Sequence, residues 1–218
     1  MKKVAVVLSG CGVFDGAEIQ EAVLTLLYIA KAGAHYQCFA PDVAQMHVLN
    51  HTNGEEMPET RNVMLEASRI CRGDIKAIDT LRADDFDAVI LPGGFGAAKN
   101  LSDFATKGAH CSVEPSTLNA LKSFANAGKP AGYICIAPAM IPLVYGENAK
   151  ATIGHDADTA TAINQMGGEH VSCAVDDIVV DEQHNLVSTP AYMLAESILD
   201  ADAGIRKLVA KVLAMCKK

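Results

Sequence analysis

The chain has 218 residues, half of them hydrophobic, which is enough for one sizeable core, so we expect a single domain over residues 1–218. The formal net charge is −8 and no Lys- or Arg-rich run occurs, which disfavours nucleic acid or an anionic membrane as a partner. No apolar run reaches the roughly 18 residues of a membrane span.

Four short apolar runs predict β-strands, because they are apolar on both faces, as strands covered by helices must be. They lie at 3–9, 36–41, 87–93 and 130–137, and 150–154 is a weaker fifth. Segments of helical period separate them at 18–33, 60–70 and 113–128. The first and third of these segments end on Ala-Gly, where the glycine can adopt the left-handed cap conformation.

The C-terminal part departs from this alternation. Residues 177–190 predict an antiparallel hairpin and residues 204–218 a last helix, whereas residues 42–60 indicate an irregular insertion or a short hairpin. The alternation before it predicts an α/β fold: an open three-layer sandwich with a mostly parallel, flavodoxin-like sheet, helices on both faces and the C-terminal hairpin.

Cysteine usage and the N-terminal residues bear on the compartment. The apolar stretch in MKKVAVVL is too short for a signal peptide and predicts the first strand instead. The seven cysteines are odd in number, scattered and without a C-x-x-C pair, which is typical of reduced thiols and not of a disulfide framework or a zinc site. We therefore expect a cytoplasmic protein.

Three turns that follow strands should meet at one edge of the sheet, where ligands bind in open α/β folds. They are SGCGVFDGAE after the first strand, LPGGFGAAKN after the third, and Cys135 with IAPAM after the fourth. Backbone N–H groups in the Gly93-Gly94 turn could face a negative charge, but a tight turn that needs positive φ explains such a pair equally well. No phosphate-loop signature follows it.

Cys135 stands where a sharp strand-to-helix turn would present a nucleophile above the sheet. The N–H group of the next residue, Ile136, would face an oxyanion, and a helix N-terminus would lower the pKa of the thiol. This elbow requires small residues two positions away on each side, which Ala137 satisfies and Tyr133 does not. A buried structural cysteine remains the alternative.

A nucleophilic thiol needs a partner for its proton. Glu18 and Glu21 lie in the first turns of the first predicted helix and share roughly one face, so one of them can turn inward. Solvated acidic residues at a helix N-terminus are the ordinary alternative. His155 ends the fifth predicted strand, where a structural or solvated histidine is the more frequent case.

Several motifs, in order along nearly the whole chain, resemble the DJ/PfpI superfamily of the class I glutamine amidotransferase-like fold. They are GAEIQEAV, LPGGFGAAKNL, YICIAPAM and TPAYM. The segments SGCGVFDGAEIQEAV, ETRNV and AVDDIVVDE are more specific. They resemble the ElbB family, described as glyoxalases, sigma cross-reacting proteins and isoprenoid-biosynthesis-associated proteins.

The resemblance implies roles for particular residues. Cys135 matches the family's elbow nucleophile, Glu21 the acid that hydrogen-bonds the thiol, and His155 a histidine about twenty residues after the cysteine. The N–H groups of Gly94 and Ile136 match the pair that holds an oxyanion. Glutamine-hydrolysing relatives carry a late His followed two residues later by Glu, and no histidine after Cys135 is followed in this way, which disfavours a glutaminase.

The activity that the resemblance implies is a cofactor-independent glyoxalase, which converts glyoxal or a similar small α-oxoaldehyde to an α-hydroxy acid such as glycolate. It implies a small aldehyde as substrate, no metal or organic cofactor, and a homodimer. The alternative is an amidotransferase-like regulatory protein, linked to isoprenoid biosynthesis, whose cysteine senses oxidants or electrophiles without turnover. A relative that keeps the fold and has no chemistry is a third interpretation.

Overall fold

A computed structural model describes residues 1–217 and shows a seven-stranded, mostly parallel sheet covered by helices. The strands are β1 (Lys3–Val7), β2 (His35–Ala40), β3 (Ile75–Ala77), β4 (Ala88–Leu91), β5 (Ala131–Ile134), β6 (Lys150–Ala151), β7 (Glu169–His170), β8 (Val179–Asp181) and β9 (Leu186–Thr189). The helices are α1 (Ile19–Lys31), α2 (Val63–Ala67), α3 (Phe95–Lys99), α4 (Phe104–Lys107), α5 (Pro115–Asn126), α6 (Ile141–Tyr145), α7 (Ala157–Gln165) and α8 (Ile198–Met215).

The sheet has the strand order β3-β2-β1-β4-β5-β9-β8, and only the β8-β9 pair is antiparallel. This confirms the predicted α/β fold with its C-terminal hairpin. The predicted left-handed glycines after α1 and α5 are also confirmed, since Gly33 and Gly128 have φ of 70° and 60°.

Two apolar cores lie on opposite faces of the sheet. Val4 and Val6 of β1 pack with residues of α1 and α8, whereas Ala5 and Val7 face the core formed with α5 and α6. Successive side chains of a strand point to opposite faces, so a central parallel strand must be apolar throughout. This is why the continuous apolar runs were reliable signals.

The same topology brings three loops together at one edge. β1, β4 and β5 are neighbouring parallel strands, so their carboxyl ends meet where the 8–18 loop, the Gly93-Gly94 turn and Cys135 begin. The convergence predicted from the sequence is confirmed.

Several predicted boundaries are corrected by the structure. The strand predicted at 150–154 is the two-residue β6, which pairs only with β7 in a separate small sheet. α2 is shorter than predicted because it starts after the Asn62 cap, and α8 starts earlier, after the Ser197 cap. The predicted end of that helix at residue 218 lies outside the described residues. The segment 42–60 is irregular, with single antiparallel bridges at Ala44 and Leu49.

Within residues 1–217, no helix has both the length and the apolar character that a membrane crossing requires.

Candidate active site

Cys135 follows β5 directly and occupies a strained backbone conformation. Its φ is +62°, in the left-handed region that residues other than glycine rarely adopt. Such a conformation costs on the order of 1–3 kcal/mol, and it is typical of sites where a side chain must point in an unusual direction. A helical turn, Ala137–Met140, follows after Ile136 and leads into α6, so the predicted helix begins as a short 3₁₀ turn.

The bulky residue two positions before the cysteine lies on the other face of the sheet. Tyr133 is fully buried in the α5-side core, and its ring packs edge-on against Tyr145 with centroids 6.2 Å apart. Cys135 belongs to the opposite core, so Tyr133 does not crowd the thiol. The poor match to the elbow pattern at this position therefore has no steric consequence for the site.

Glu21 lies in the first turn of α1 and is fully buried. Its carboxyl group accepts a hydrogen bond from the Gly93 N–H at 2.8 Å and one from the Tyr192 N–H at 3.2 Å, and it faces the Cys135 thiol. Glu18 does not share this position, because it is the N-cap of α1 and accepts the Glu21 N–H at 2.6 Å. The prediction that both acids lie within the helix is corrected in this respect.

Both members of this pair have raised pKa values, which for the thiol differs from the expectation. Burial, and next the neighbouring Glu18 carboxylate, raise the pKa of Glu21 to about 8, so Glu21 is protonated at neutral pH. Burial, and next the Glu21 carboxylate, also raise the pKa of the Cys135 thiol, although the N–H groups of Gly94 and Ile136 oppose the rise. The expected lowering of the thiol pKa by local dipoles is wrong. The side chain is only 7% exposed, and its desolvation raises the pKa by more than the N–H groups lower it.

The N–H groups of Gly94 and Ile136 point at the Cys135 sulfur. Each residue immediately precedes a helical turn, where backbone N–H groups have no partner within the helix. Two N–H groups converging on a nucleophilic sulfur favour its thiolate, and they lie next to the position of an oxyanion formed on the carbon that the sulfur attacks.

Both glycines of the Gly93-Gly94 turn are required by close backbone approach. A Cβ on Gly93 would lie 2.4 Å from the Cys135 Cβ and 2.9 Å from Glu21 Oε2. Gly94 has φ of 91°, and a Cβ there would lie 2.3 Å from the Glu18 nitrogen. The tight-turn and anion-facing interpretations therefore both apply, since the close packing of this turn directs the Gly93 N–H to Glu21 and the Gly94 N–H to the thiol.

Cys135 opens into a cavity of about 470 Å³. Its walls include apolar side chains of the 8–18 loop, α3 and α4, together with Asp156, Thr159, Tyr192 and Met193. These four residues carry no sequence motif that marks them as part of a site. Asp156 carries one local signal, because it caps α7 by accepting the Thr159 N–H at 2.9 Å. Tyr192 lies in the TPAYM motif but acts through its backbone N–H, which a side-chain pattern cannot reveal.

His155 lies elsewhere. It is exposed and lines an adjoining cavity of about 690 Å³ with Cys173 and Glu196, whereas its sequence neighbour Asp156 lines the Cys135 cavity. In the part of the chain that the structure describes, no histidine lines the Cys135 cavity. His184, for example, is paired with Asp181 at 2.8 Å. The structure thus brings Cys135, Glu21, Gly94 and Ile136 together and leaves His155 outside the cavity.

Comparison with known proteins places this geometry in a family. No protein-family model matches the chain. It is 44% identical over 226 residues to the human mitochondrial glutamine amidotransferase-like class 1 domain-containing protein 3, covering 99% of this chain and 84% of the relative. It is 43% identical to the rat mitochondrial ES1 protein homolog, over 99% of this chain and 85% of the relative. The chain belongs to this amidotransferase-like ES1 family.

Solved structures agree with this membership. The crystal structure of an Ehrlichia chaffeensis isoprenoid biosynthesis protein with an amidotransferase-like domain superimposes with a TM-score of 0.92 at 36% identity, covering 98% of this chain and 99% of that one. A DJ-1 superfamily protein from Salmonella typhimurium gives a TM-score of 0.59 at 20% identity, covering 98% of this chain and 91% of that one. The recognised DJ/PfpI-type fold is therefore confirmed.

The expected cytoplasmic location is wrong on these comparisons. The human and rat relatives are named as mitochondrial, and so is the ES1 protein of zebrafish, which is 34% identical over 87% of this chain and 76% of its own length. Scattered free cysteines indicate reduced thiols, and that signal does not identify the compartment.

Proposed function

We propose that the chain is a cofactor-independent glyoxalase that converts glyoxal or a similar small α-oxoaldehyde to an α-hydroxy acid. The observation that carries the proposal is the pairing of Cys135 with Glu21. A fully buried carboxyl group, protonated at neutral pH, lies beside a thiol held on a strained elbow. This arrangement supports a nucleophile with its own proton carrier.

The first step would start when the pair loses one proton, which leaves a thiolate beside a carboxylic acid. The sulfur attacks the aldehyde carbon C1, and the electrons of the C=O π bond move to oxygen. The N–H groups of Gly94 and Ile136 stabilise this oxyanion until Glu21 transfers its proton to it. The product is a hemithioacetal on Cys135 with Glu21 as carboxylate.

The next steps are proton transfers through Glu21. The carboxylate removes the hydrogen on C1 and gives a proton to the oxygen on C2, which forms an enediol. It then removes the proton of the C1 hydroxyl and delivers one to C2. The result is a thioester of the α-hydroxy acid, in which C1 is oxidised and C2 is reduced by the same two electrons. Water hydrolyses the thioester to the acid and the free thiol.

The alternative, a sensor of oxidants or electrophiles, is less well supported by the geometry. A sensing cysteine depends on a low pKa and on exposure, whereas Cys135 is 7% exposed and burial raises its pKa. Turnover in addition requires a proton carrier and space for a substrate, and the site has both in Glu21 and the cavity at Cys135.

Formation of glycolate from added glyoxal, followed by NMR, tests the proposal. Wild type should form glycolate, Cys135→Ala should form none, and Glu21→Gln should lose about 10²–10⁴-fold in turnover. Glu147→Gln, which changes an exposed carboxyl away from the cavity, is the matched control and should behave as wild type. Equal turnover by wild type and Cys135→Ala would overturn the proposal.

The homodimer remains a proposal from resemblance, which sedimentation analysis of the purified chain would test.

A further inference from the structure

The cavity above Cys135 is larger than glyoxal needs. At roughly the volume of one water, about 30 Å³, for each heavy atom, a dialdehyde with four heavy atoms would fill about a quarter of the 470 Å³ cavity. The remaining space is of the size that organic ligands with a ring occupy in proteins. The cavity therefore has room for a substrate with a substituent larger than hydrogen.

The walls that bound this extra space are apolar. They include Val13, Phe95, Ala98, Phe104, Ile136 and Met193. Phe95 is 47% exposed, so part of its ring is free to contact a ligand. Aromatic side chains stabilise a second ring by offset or edge-on packing beyond the effect of buried area. Phe95 and Phe104 would provide such contacts for a ring bound beside the thiol.

Within residues 1–217, the lining of the cavity carries a negative charge and no positive one. Asp156 is the one ionisable carboxylate among the described lining residues, and none of those residues is Lys, Arg or His. The Lys99 ammonium group lies 5.0 Å from the Phe95 ring centroid but donates to the Phe14 carbonyl at 2.7 Å, and Lys99 is not among the lining residues. Among the described lining residues, an anionic substrate would meet a like charge and no cation.

We infer that the Cys135 cavity takes electrophiles with an uncharged apolar substituent of about the size of a phenyl ring, in preference to small or anionic ones. Phe104 and Asp156 determine this specificity, Phe104 by contact with the substituent and Asp156 by repulsion of negative charge. For the reaction, this rests on the proposed function and names arylglyoxals as the substrate class. Phenylglyoxal and water would give mandelate, with C1 oxidised and C2 reduced as above and no external oxidant.

Alkylation of Cys135 tests the cavity without requiring turnover. The probes are N-phenyl-2-iodoacetamide, iodoacetamide and iodoacetate, and each rate, measured by mass spectrometry at one pH, is divided by the rate with free cysteine. After this division, N-phenyl-2-iodoacetamide should label Cys135 at least about tenfold faster than iodoacetamide does. Iodoacetate should label it at least about tenfold more slowly than iodoacetamide does. A tenfold ratio corresponds to a difference of about 1.4 kcal/mol. A phenyl reagent no faster than iodoacetamide, or iodoacetate as fast, would overturn the inference.

Two variants assign the effect to residues. Phe104→Ala should reduce the phenyl preference several-fold, and Asp156→Asn, which keeps a helix-capping side chain, should raise the relative iodoacetate rate several-fold. Leu65→Ala, at a 62%-exposed position outside the cavity, is the control and should change neither ratio. If neither variant changes its ratio, the assignment is wrong.

Turnover separates this inference from the proposed function. Wild type should show a higher kcat/KM for phenylglyoxal than for glyoxal and a lower one for 4-carboxyphenylglyoxal, and Phe104→Ala should raise KM for phenylglyoxal more than it lowers kcat. If glyoxal is converted and phenylglyoxal is not, the inference fails and the proposed function stands. If no oxoaldehyde is converted while the alkylation order holds, the proposed function fails and the cavity specificity stands.

Discussion

Glu21→Gln should make the protein less stable than wild type at pH 5 and more stable than wild type at pH 8. The folded chain buries Glu21 in its protonated form, because burial and then Glu18 raise its pKa from the ordinary 4.5 to about 8. The unfolded chain loses that proton near pH 4.5. Between these values the folded state binds one more proton than the unfolded state, so rising pH favours unfolding.

The magnitude follows from the width of this window. About 3.5 pH units, at about 1.36 kcal/mol each, give a loss of roughly 5 kcal/mol from this one group between pH 4.5 and pH 8. Glutamine has no such proton, so the loss disappears in the variant. Its amide –NH₂ group, however, leaves the N–H of Gly93 or Tyr192 without an acceptor, which costs about 1–3 kcal/mol at every pH. The variant should therefore be less stable than wild type at pH 5 and more stable at pH 8.

Urea unfolding of wild type and Glu21→Gln at pH 5, 6, 7 and 8 measures this difference directly. Contributions of other groups, such as His170, whose pKa is lowered by burial, are common to both proteins and cancel in their comparison. Glu147→Gln, at an exposed carboxyl, should run parallel to wild type throughout. A stability difference between Glu21→Gln and wild type that stays constant from pH 5 to pH 8 would refute the buried, protonated Glu21.

Three further predictions concern the same site. Iodoacetamide should label Cys135 slowly at pH 6 and increasingly fast above pH 8, because burial and the Glu21 carboxylate raise its pKa; maximal labelling at pH 6, mapped by mass spectrometry, would contradict this. Glu18→Gln should move the rising limb of the turnover–pH profile to lower pH without abolishing turnover, since the Glu18 charge contributes to the raised pKa of Glu21; an unmoved limb would argue against that coupling. Gly93→Ala should abolish turnover and lower the free energy of unfolding by several kcal/mol in urea titration, because its Cβ would lie 2.4 Å from that of Cys135; an active, fully stable variant would show that the turn can move.

Much of the fold followed from the sequence because central parallel strands must be apolar on both faces. β1, β2, β4 and β5 all stood out on this basis. Two elements gave no such signal. β3 is a three-residue edge strand with an exposed lysine at its centre, and α7 buries only Ile163, so neither presents an apolar pattern long enough to recognise.

The site was predictable only where the topology determines position. Glu21 follows β1 and Cys135 follows β5, two parallel strands that flank β4, so their meeting at one sheet edge could be inferred from the topology. The cavity walls come from α3, α4, α7 and the turn after β9, whose relative placement depends on packing and not on local pattern. The pKa of Cys135 was misjudged for the same reason. The sequence shows the nearby dipoles, but the burial that outweighs them exists only in the folded chain.

Two unfavourable features coincide at this site, and their coincidence bears on whether Cys135 is a structural residue. The left-handed backbone of Cys135 costs on the order of 1–3 kcal/mol, and the burial of Glu21 costs several more above pH 4.5. A purely structural role would require neither the strained backbone nor the buried acid. Glycine at position 135 would relieve the strain, and glutamine at position 21 would remove the pH-dependent loss of stability. The strain and the burial are both required by one arrangement, in which the thiol lines the cavity and a proton carrier lies beside it. Strain and a buried acid maintained together, around the one cysteine that lines this cavity among the described residues, are physical grounds for a reactive thiol that do not depend on resemblance.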